Sequence, residues 1–298
     1  MKILVSCTGN KWPIALLAAV MAAGTACLTK VEKIARVPGK QNLLTATRQQ
    51  LVELINQKYA AVRSVKYSRM RIQVEGFYPE NEEKKSYPRG SGYLVVQRPG
   101  WILMNINNPL TSSTVAAMAA DGRNFQLFVP GENKYVTGPV DVEVDSDNPL
   151  YNIRPQHVAE AVFVEPLQGL TERSFYVYED SDPLSAYYMI AELQNAHSQP
   201  QLLRRLWIDR STLRLVRQQW YGDGGQVVSE AGYGSEAVVD GVPVFVELTL
   251  MRPLDRYRLR FTFETEAVKV NEAIEEGAFK LVRPPGTELV EVKGRVKL

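Results

Sequence analysis

The fold is decided by residues 202–263, which read LLRRLWIDRSTLRLVRQQWYGDGGQVVSEAGYGSEAVVDGVPVFVELTLMRPLDRYRLRFTF. Turn residues such as Gly222 and the pair Asp240-Gly241 divide this stretch into short apolar runs. The last run alternates Tyr257, Leu259, Phe261 and Phe263 with polar residues, and successive side chains of a strand point to opposite faces. The stretch therefore predicts an antiparallel sheet with one apolar, buried face and one polar, solvent-exposed face. The predicted strands are 202–209, 213–221, 226–237, 242–251 and 257–265.

The rest of the chain extends this sheet and adds helices to it. About a dozen short strands are expected, without the strand–helix alternation of a parallel sheet. Thr45 or Thr47 caps a first helix whose apolar residues recur at helical spacing over 51–62, and a second helix is predicted over 155–163. The alternation slips near Met70, which predicts a bulge or a strong twist there. We expect a mainly β (α+β) domain, residues 45–298, whose sheet curls around helices on its inner face.

Composition and charge exclude several functions. The chain has 298 residues, 45% hydrophobic residues and a formal net charge of +2, so no basic surface for nucleic acid is indicated. It has two histidines, His157 and His197, and neither lies near a nucleophile motif. The acidic stretch 141–147 lacks the glycine and glutamate of a calcium-binding loop. We therefore expect no enzyme activity, no catalytic residue, no metal site and no cofactor.

The first 26 residues have the layout of an export signal. Lys2 and Lys11 precede an apolar run that ends near Ala23 and is shorter than the ~20 residues of a membrane-spanning helix. Small residues then lead directly to Cys27, as in a bacterial lipobox. We expect cleavage after Ala26, acylation of Cys27 and a tether over residues 27–44. The alternative is an ordinary cleaved signal followed by a chance cysteine.

An acylated cysteine would hold the protein on a membrane, because each buried methylene of an acyl chain contributes roughly 0.8 kcal/mol. Leu28 is not the aspartate that marks retention in the inner membrane in familiar lipoprotein systems. We therefore expect a periplasm-facing lipoprotein, carrying palmitate-like chains, on the outer membrane, with the inner membrane as the alternative.

The strand and turn motifs resemble those of the outer-membrane lipoprotein-sorting superfamily, which contains the periplasmic lipoprotein carrier LolA and its receptor LolB. The resemblance covers most of the mature chain and rests on motifs at 121–125, 206–209, 215–218, 221–225, 228–230, 240–243, 252–253 and 271–281. It implies an unclosed, strongly curved half-barrel with helices in its mouth and an apolar cavity that accepts acyl chains.

The resemblance implies that this protein binds a lipid or lipoprotein acyl chain, in lipoprotein sorting or envelope lipid transfer. Such binding needs only apolar area, at roughly 25 cal/mol per Å². The expected cavity-lining residues are Trp101, Leu103, Phe125, Tyr176, Trp207, Leu248, Leu250, Phe261 and Phe263, with Val162 and Phe163 on the lid. In the carrier, an arginine on an early strand bonds the lid; by resemblance Arg69 or Arg71 would play that role here, and the alternative for each is a charge on the outer surface.

Two alternatives stay open at this stage. Apolar stripes usually form a closed core, so each expected lining residue is equally consistent with a core that holds no ligand. The whole half-barrel would then be a non-enzymatic scaffold of the cell envelope, with an envelope protein as its partner. A lipid that copurifies favours the first function, and an exposed apolar patch outside a filled barrel favours the second.

Overall fold

Antiparallel pairing of successive strands builds one large sheet. The computed structural model describes residues 42–78, 83–142, 144–146, 149–168, 173–182, 184–195, 199–293 and 296–297. The expected signal, Cys27, most of the tether and His197 lie outside these residues. In the described part of the chain, no helix is long and apolar enough to cross a membrane.

The strands, numbered in chain order, are β1 Ser64–Tyr78, β2 Glu83–Ser86, β3 Gly90–Gln97, β4 Trp101–Asn107, β5 Thr114–Asp121, β6 Asn124–Val129, β7 Lys134–Pro139, β8 Val144–Asp145, β9 Arg173–Ser181, β10 Ala186–Gln194, β11 Gln201–Asp209, β12 Arg214–Tyr221, β13 Val227–Tyr233, β14 Glu236–Val239, β15 Val242–Phe245, β16 Glu247–Arg252, β17 Tyr257–Phe263, β18 Val268–Val270, β19 Glu288–Glu291 and β20 Val296–Lys297. Sixteen of them form one sheet, in the order β19-β7-β6-β5-β4-β3-β1-β17-β16-β13-β12-β11-β10-β9, with β18 and β2 also paired to β1. The sheet is mainly antiparallel and open, because its end strands β19 and β9 each have one neighbour. The predicted fold class is confirmed.

The long strand β1 joins the two halves of the sheet, pairing with β3 on one side and with β17 on the other. Its pairing with β3 shifts register between Tyr67 and Met70. The bulge predicted near Met70 is therefore confirmed. A bulge adds local twist, which helps a sheet of this length to curl.

The predicted strands 226–237 and 242–251 each divide in two. After β13, the backbone N–H of Gly234 donates to Glu247 O, and the Glu247 carboxylate accepts from the backbone N–H and hydroxyl of Ser235. Asp240 and Gly241 have positive φ and close a tight hairpin between β14 and β15. The sequence shows these turn residues, but apolar residues on both sides of each break let the two strands read as continuous.

The first helix begins after Thr47, whose side chain and Gln50 form a reciprocal capping box. It runs as α1, Arg48–Glu53, and continues as a π-helical segment, Leu54–Tyr59. A short helix α2, Pro149–Asn152, is followed by α3, Pro155–Val162, where Phe163 is extended and ends the helix. α3 contacts β3, β4, β5, β13 and β16, so it lies across the middle of one sheet face. We refer to this as the concave face.

Candidate functional site

The concave face is covered by residues 155–167, which we call the lid. The lid consists of α3 and the extended segment that follows it. Val158 and Ala161 on α3 are fully buried against the sheet, and Phe163 and Val164 continue the same buried surface. The lid therefore covers the sheet face with a continuous layer of apolar side chains.

Seven of the expected lining residues lie in the core between the lid and the sheet, each at most 5% exposed. They are Phe125, Val162, Phe163, Leu248, Leu250, Phe261 and Phe263. Tyr67 stacks on Phe263 at a centroid distance of 3.7 Å, and Phe261 lies 5.7 Å from Phe263. The space that the sequence assigned to an acyl chain is filled by side chains in this structure.

Four of the expected lining residues point elsewhere. Trp101 and Leu103 lie on the other face of β4, because Ile102, Met104 and Ile106 occupy its buried positions. Trp101 makes an edge contact with the Phe279 ring there.

Tyr176 is 63% exposed on the end strand β9. Trp207 is buried outside the core, with the guanidinium groups of Arg205 and Arg217 within 5.6 and 5.3 Å of its ring. The placement of these four residues on the concave face was wrong by one position of the strand alternation.

Two arginines hold the extended part of the lid, and neither was singled out in the sequence. Arg98 donates from Nε to Val62 O and from Nη2 to Val164 O, both at 2.9 Å, and forms an ion pair with Glu165. Arg204 donates from Nη1 to Glu165 O at 3.1 Å. These arginines attach the lid backbone to both halves of the sheet.

The two arginines proposed from the resemblance do not contact the lid. Arg69 forms an exposed ion pair with Glu264 on β1's outer side, and Arg71 is exposed. Both side chains are exposed on the outer side of the sheet, which agrees with the alternative role as surface charges and not with a lid contact. Arg204 could have been identified from the sequence. It alternates with Leu206 and Ile208 on the same face of β11, and those residues are buried, so strand alternation predicts that the charged side chain of Arg204 also points inward.

Polar contacts also hold the helical part and the end of the lid. The hydroxyl of Tyr233 donates to Ala161 O at 2.9 Å, and burial raises the pKa of Tyr233, which keeps this donor protonated. Asn56 pairs with the backbone of Leu167 in both directions, accepting at 2.7 Å and donating at 3.0 Å. The lid is thus held by a small set of side chains that lie far from it in sequence.

A polar cavity of about 840 Å³ lies at the N-terminal end of the lid. Charged side chains dominate its wall, which also contains Asn152, Gln156 and the apolar residues Trp220, Val228 and Leu254. The charged and titratable residues that line it are Asp141, Arg154, His157, Glu160, Arg252, Asp255 and Arg256. Within the described residues no group of His, Cys, Asp or Glu is arranged to hold a metal ion.

His157 lies between this cavity and the core. Its Nδ1 lies 2.9 Å from the Tyr257 hydroxyl. Burial, together with the positive charges of Arg252 and Arg154, lowers the pKa of His157 well below 6.5. Asp255 lies 4.0 Å from Nδ1, but its attraction does not offset burial. His157 is therefore neutral in the folded protein near neutral pH.

Acidification is expected to destabilise the protein through His157. The unfolded chain binds a proton at this residue below about pH 6.5 while the folded chain does not, so stability falls as pH decreases, by up to about 1.4 kcal/mol per unit. Asparagine keeps a polar atom near the Nδ1 position and does not titrate. Urea unfolding at pH 7.0 and 5.5 should show a smaller pH dependence in His157→Asn than in the wild type. Equal pH dependence in both would show that His157 is protonated in the folded state.

No family model matches the sequence, and no curated protein matches it. Similar solved structures include a LolA superfamily protein from Nitrosomonas europaea, at 13% identity and a TM-score of 0.45, covering 80% of this chain and 99% of that one. They also include a putative outer membrane lipoprotein-sorting protein domain from Vibrio parahaemolyticus, at 8% identity and a TM-score of 0.47, covering 77% and 94%.

A DUF1329 family protein from Desulfovibrio piger is also similar, at 11% identity and a TM-score of 0.46, covering 77% of this chain and 94% of that one. At identities of 8–13% and TM-scores below 0.5, the similarity to these structures does not show a function for this chain.

Proposed function

We propose that this protein is a lipid-anchored lipoprotein of the cell envelope that binds the acyl chain of a lipid or lipoprotein under its lid. One observation carries the proposal: much of the apolar concave face is covered by a short segment, residues 155–167, whose backbone is held by side chains distant in sequence, beside a first helix that buries Leu51, Ile55 and Tyr59 in the same core. Movement of that segment exposes a continuous apolar surface that includes Phe261, Leu248 and Leu250. An acyl chain offers the same kind of contact that Val158 and Phe163 of the lid now make.

The lid attachment suits a reversible cover. Arg98, Arg204, Tyr233 and Asn56 bond to backbone atoms of the lid. Water or a ligand's polar group can replace such bonds, whose net worth is about 1 kcal/mol each. When the lid moves away, the acyl chain covers the apolar surface that the lid side chains covered before. The proposal needs no catalytic residue, metal or cofactor.

The central test is whether the protein carries or takes up lipid. We expect mass spectrometry of a solvent extract of natively purified protein to detect an acylated molecule at a stoichiometry near one. A fluorescent fatty acyl probe should also bind with saturable affinity. Absence of both lipid and probe binding would contradict acyl-chain binding.

Weakening the lid attachment should accelerate probe uptake. Arg98→Gln removes the donors to Val62 O and Val164 O and the charge opposite Glu165. Loss of about 1–2 kcal/mol of lid attachment corresponds to a rate increase of roughly fivefold to thirtyfold. Stopped-flow fluorescence measures this rate.

Arg69→Gln is the matched control, because it removes an arginine with an exposed ion pair on the same sheet. Its uptake rate should equal that of the wild type. Equal acceleration in both variants would mean that general loosening, and not the lid, governs uptake.

The anchor has its own test. Cys27→Ala removes the thiol that acylation requires, so the protein is expected to move from the membrane fraction to the soluble periplasmic fraction. Immunoblots of the two fractions measure the change. Persistence of the variant on the membrane would contradict a lipid anchor at Cys27.

The second candidate function is an envelope scaffold with a closed core. It is favoured by the complete burial of the seven core residues named above. In that case the lid is a permanent part of the core, and neither Arg98→Gln nor the wild type takes up the probe.

A further inference from the structure

The polar cavity beside the lid contains an arginine whose bonding is incomplete. Arg154 is 3% exposed and donates from Nε to Val142 O at 3.1 Å and from Nη1 to Ile153 O at 2.9 Å. Its Nη2 atom has no hydrogen-bond partner among the described residues. Burial lowers the pKa of Arg154 to about 10, so it is still charged at neutral pH.

A buried charged group with a missing hydrogen bond is costly unless another group completes it. The carboxylate of Asp255, on the same wall, is already held by Arg252 at 2.6 Å. Arg256 adds a third guanidinium to the wall. Gln156 also has a buried Oε1 without a donor in the described part of the chain. Two residues of the wall thus have buried polar atoms without a partner, a donor on a cation and an amide acceptor.

This polar wall adjoins the apolar core. The Arg154 guanidinium lies 5.2 Å from the centre of the Phe125 ring, one of the buried core residues expected to line an acyl-chain site. A molecule with an acyl chain among the core residues would therefore have its polar end near Arg154. The cavity volume of about 840 Å³ is enough for a headgroup of several non-hydrogen atoms.

We propose that this cavity binds the anionic headgroup of the acylated ligand, a phosphate ester of a polyol. The phosphate oxygens would accept from Arg154, for which a planar guanidinium is well suited, and a polyol hydroxyl would donate to Gln156. This inference rests on the proposed function, because it supplies the polar end of the ligand whose chain lies under the lid.

Glu160 opposes an anion in the same cavity. Its carboxyl group lines the wall, and desolvation of the carboxylate by the surrounding protein is the largest cause that raises its pKa. Asp141 also lines the wall, and both carboxylates are exposed at the surface, where solvent and salt partly screen their charges. Removal of the charge at Glu160 should therefore strengthen phosphate binding, while removal of the charge at Arg154 should weaken it.

The test compares two amphiphiles with the same acyl chain and the same glycerol, oleoyl lysophosphatidate and monooleoylglycerol, bound to the full-length protein. Calorimetry should show the phosphate ester binding about tenfold more tightly, the worth of one charged hydrogen bond. Arg154→Met should abolish this preference. Glu160→Gln should increase the preference for the phosphate ester severalfold. Because Glu160 does not pack in the core, this result does not depend on whether Arg154→Met folds stably. Arg69→Met is the control and should keep the wild-type preference.

Two further ligands, glycerol 3-phosphate and inorganic phosphate, separate a lipid headgroup from a free anion. We expect both to bind far more weakly than the lysophosphatidate. Equal affinity for the two amphiphiles would overturn the headgroup site and leave acyl-chain binding standing. Binding of neither amphiphile would overturn both. Glycerol 3-phosphate binding as tightly as the lysophosphatidate would overturn a lipid ligand here in favour of a soluble polyol phosphate.

Discussion

Replacing Arg204 with alanine is expected to lower the free energy of unfolding by about 3–5 kcal/mol. Arg204 and Glu192 form an ion pair at 2.8 Å with side-chain exposures of only 5% and 6%. The variant leaves the Glu192 carboxylate buried, with the more distant Arg173 at 3.7 Å as its remaining cation. It also removes the donors to Glu165 O and Gln218 Oε1. Urea unfolding followed by tryptophan fluorescence measures the loss.

The control is again an arginine with an exposed partner. Arg69→Ala breaks a pair whose side chains are 70% and 44% exposed, so its loss should stay below about 1 kcal/mol. Replacing both members of the buried pair, Arg204→Met with Glu192→Leu, should recover most of the stability, because no uncompensated charge stays buried. Equal losses in Arg204→Ala and Arg69→Ala would mean that the Arg204–Glu192 pair is hydrated in solution.

The concave face was predictable where polar residues mark the opposite side of a strand. In β17, the arginines at 258 and 260 and Thr262 fix the other face, so the burial of Leu259, Phe261 and Phe263 followed directly. In β4, Trp101 to Met104 are consecutive apolar residues, but Asn105 and Asn107 share strand parity with Trp101 and Leu103 and mark the outer face. The assignment of Trp101 and Leu103 therefore failed because the polar residues at the end of the strand were not used.

The lid attachment was not predictable from the sequence, because it depends on long-range contacts. Arg98 is 66 residues from Val164, and Tyr233 is 72 residues from Ala161. No local pattern links such residues, and the curvature of the sheet brings them together. The sequence predicted α3 itself well, from Pro155 at its first turn and its apolar side. The side chains that hold the lid became visible only with the strand order.

Replacing Phe261 with alanine is expected to lower the free energy of unfolding by about 3–5 kcal/mol, the usual cost of removing a buried aromatic ring. Phe261 is 2% exposed and is paired across the sheet with Ile72 and Leu248. Thr262→Ala, on the exposed face of the same strand, is the control and should change stability by less than about 0.5 kcal/mol. Urea unfolding gives both values.

Added ligand then separates an acyl-chain site from a permanently closed core. If an acyl chain enters beneath the lid, a saturating fatty acid stabilises the wild type by about 2.7 kcal/mol at a hundredfold excess over Kd. It should stabilise Phe261→Ala by more, because the chain also fills the space left by the ring. A closed core predicts a different pair of results: no effect of the fatty acid on the wild type, and stabilisation of the variant alone. That outcome would contradict the lid as a reversible cover, since the only apolar space would then be the one made by the substitution.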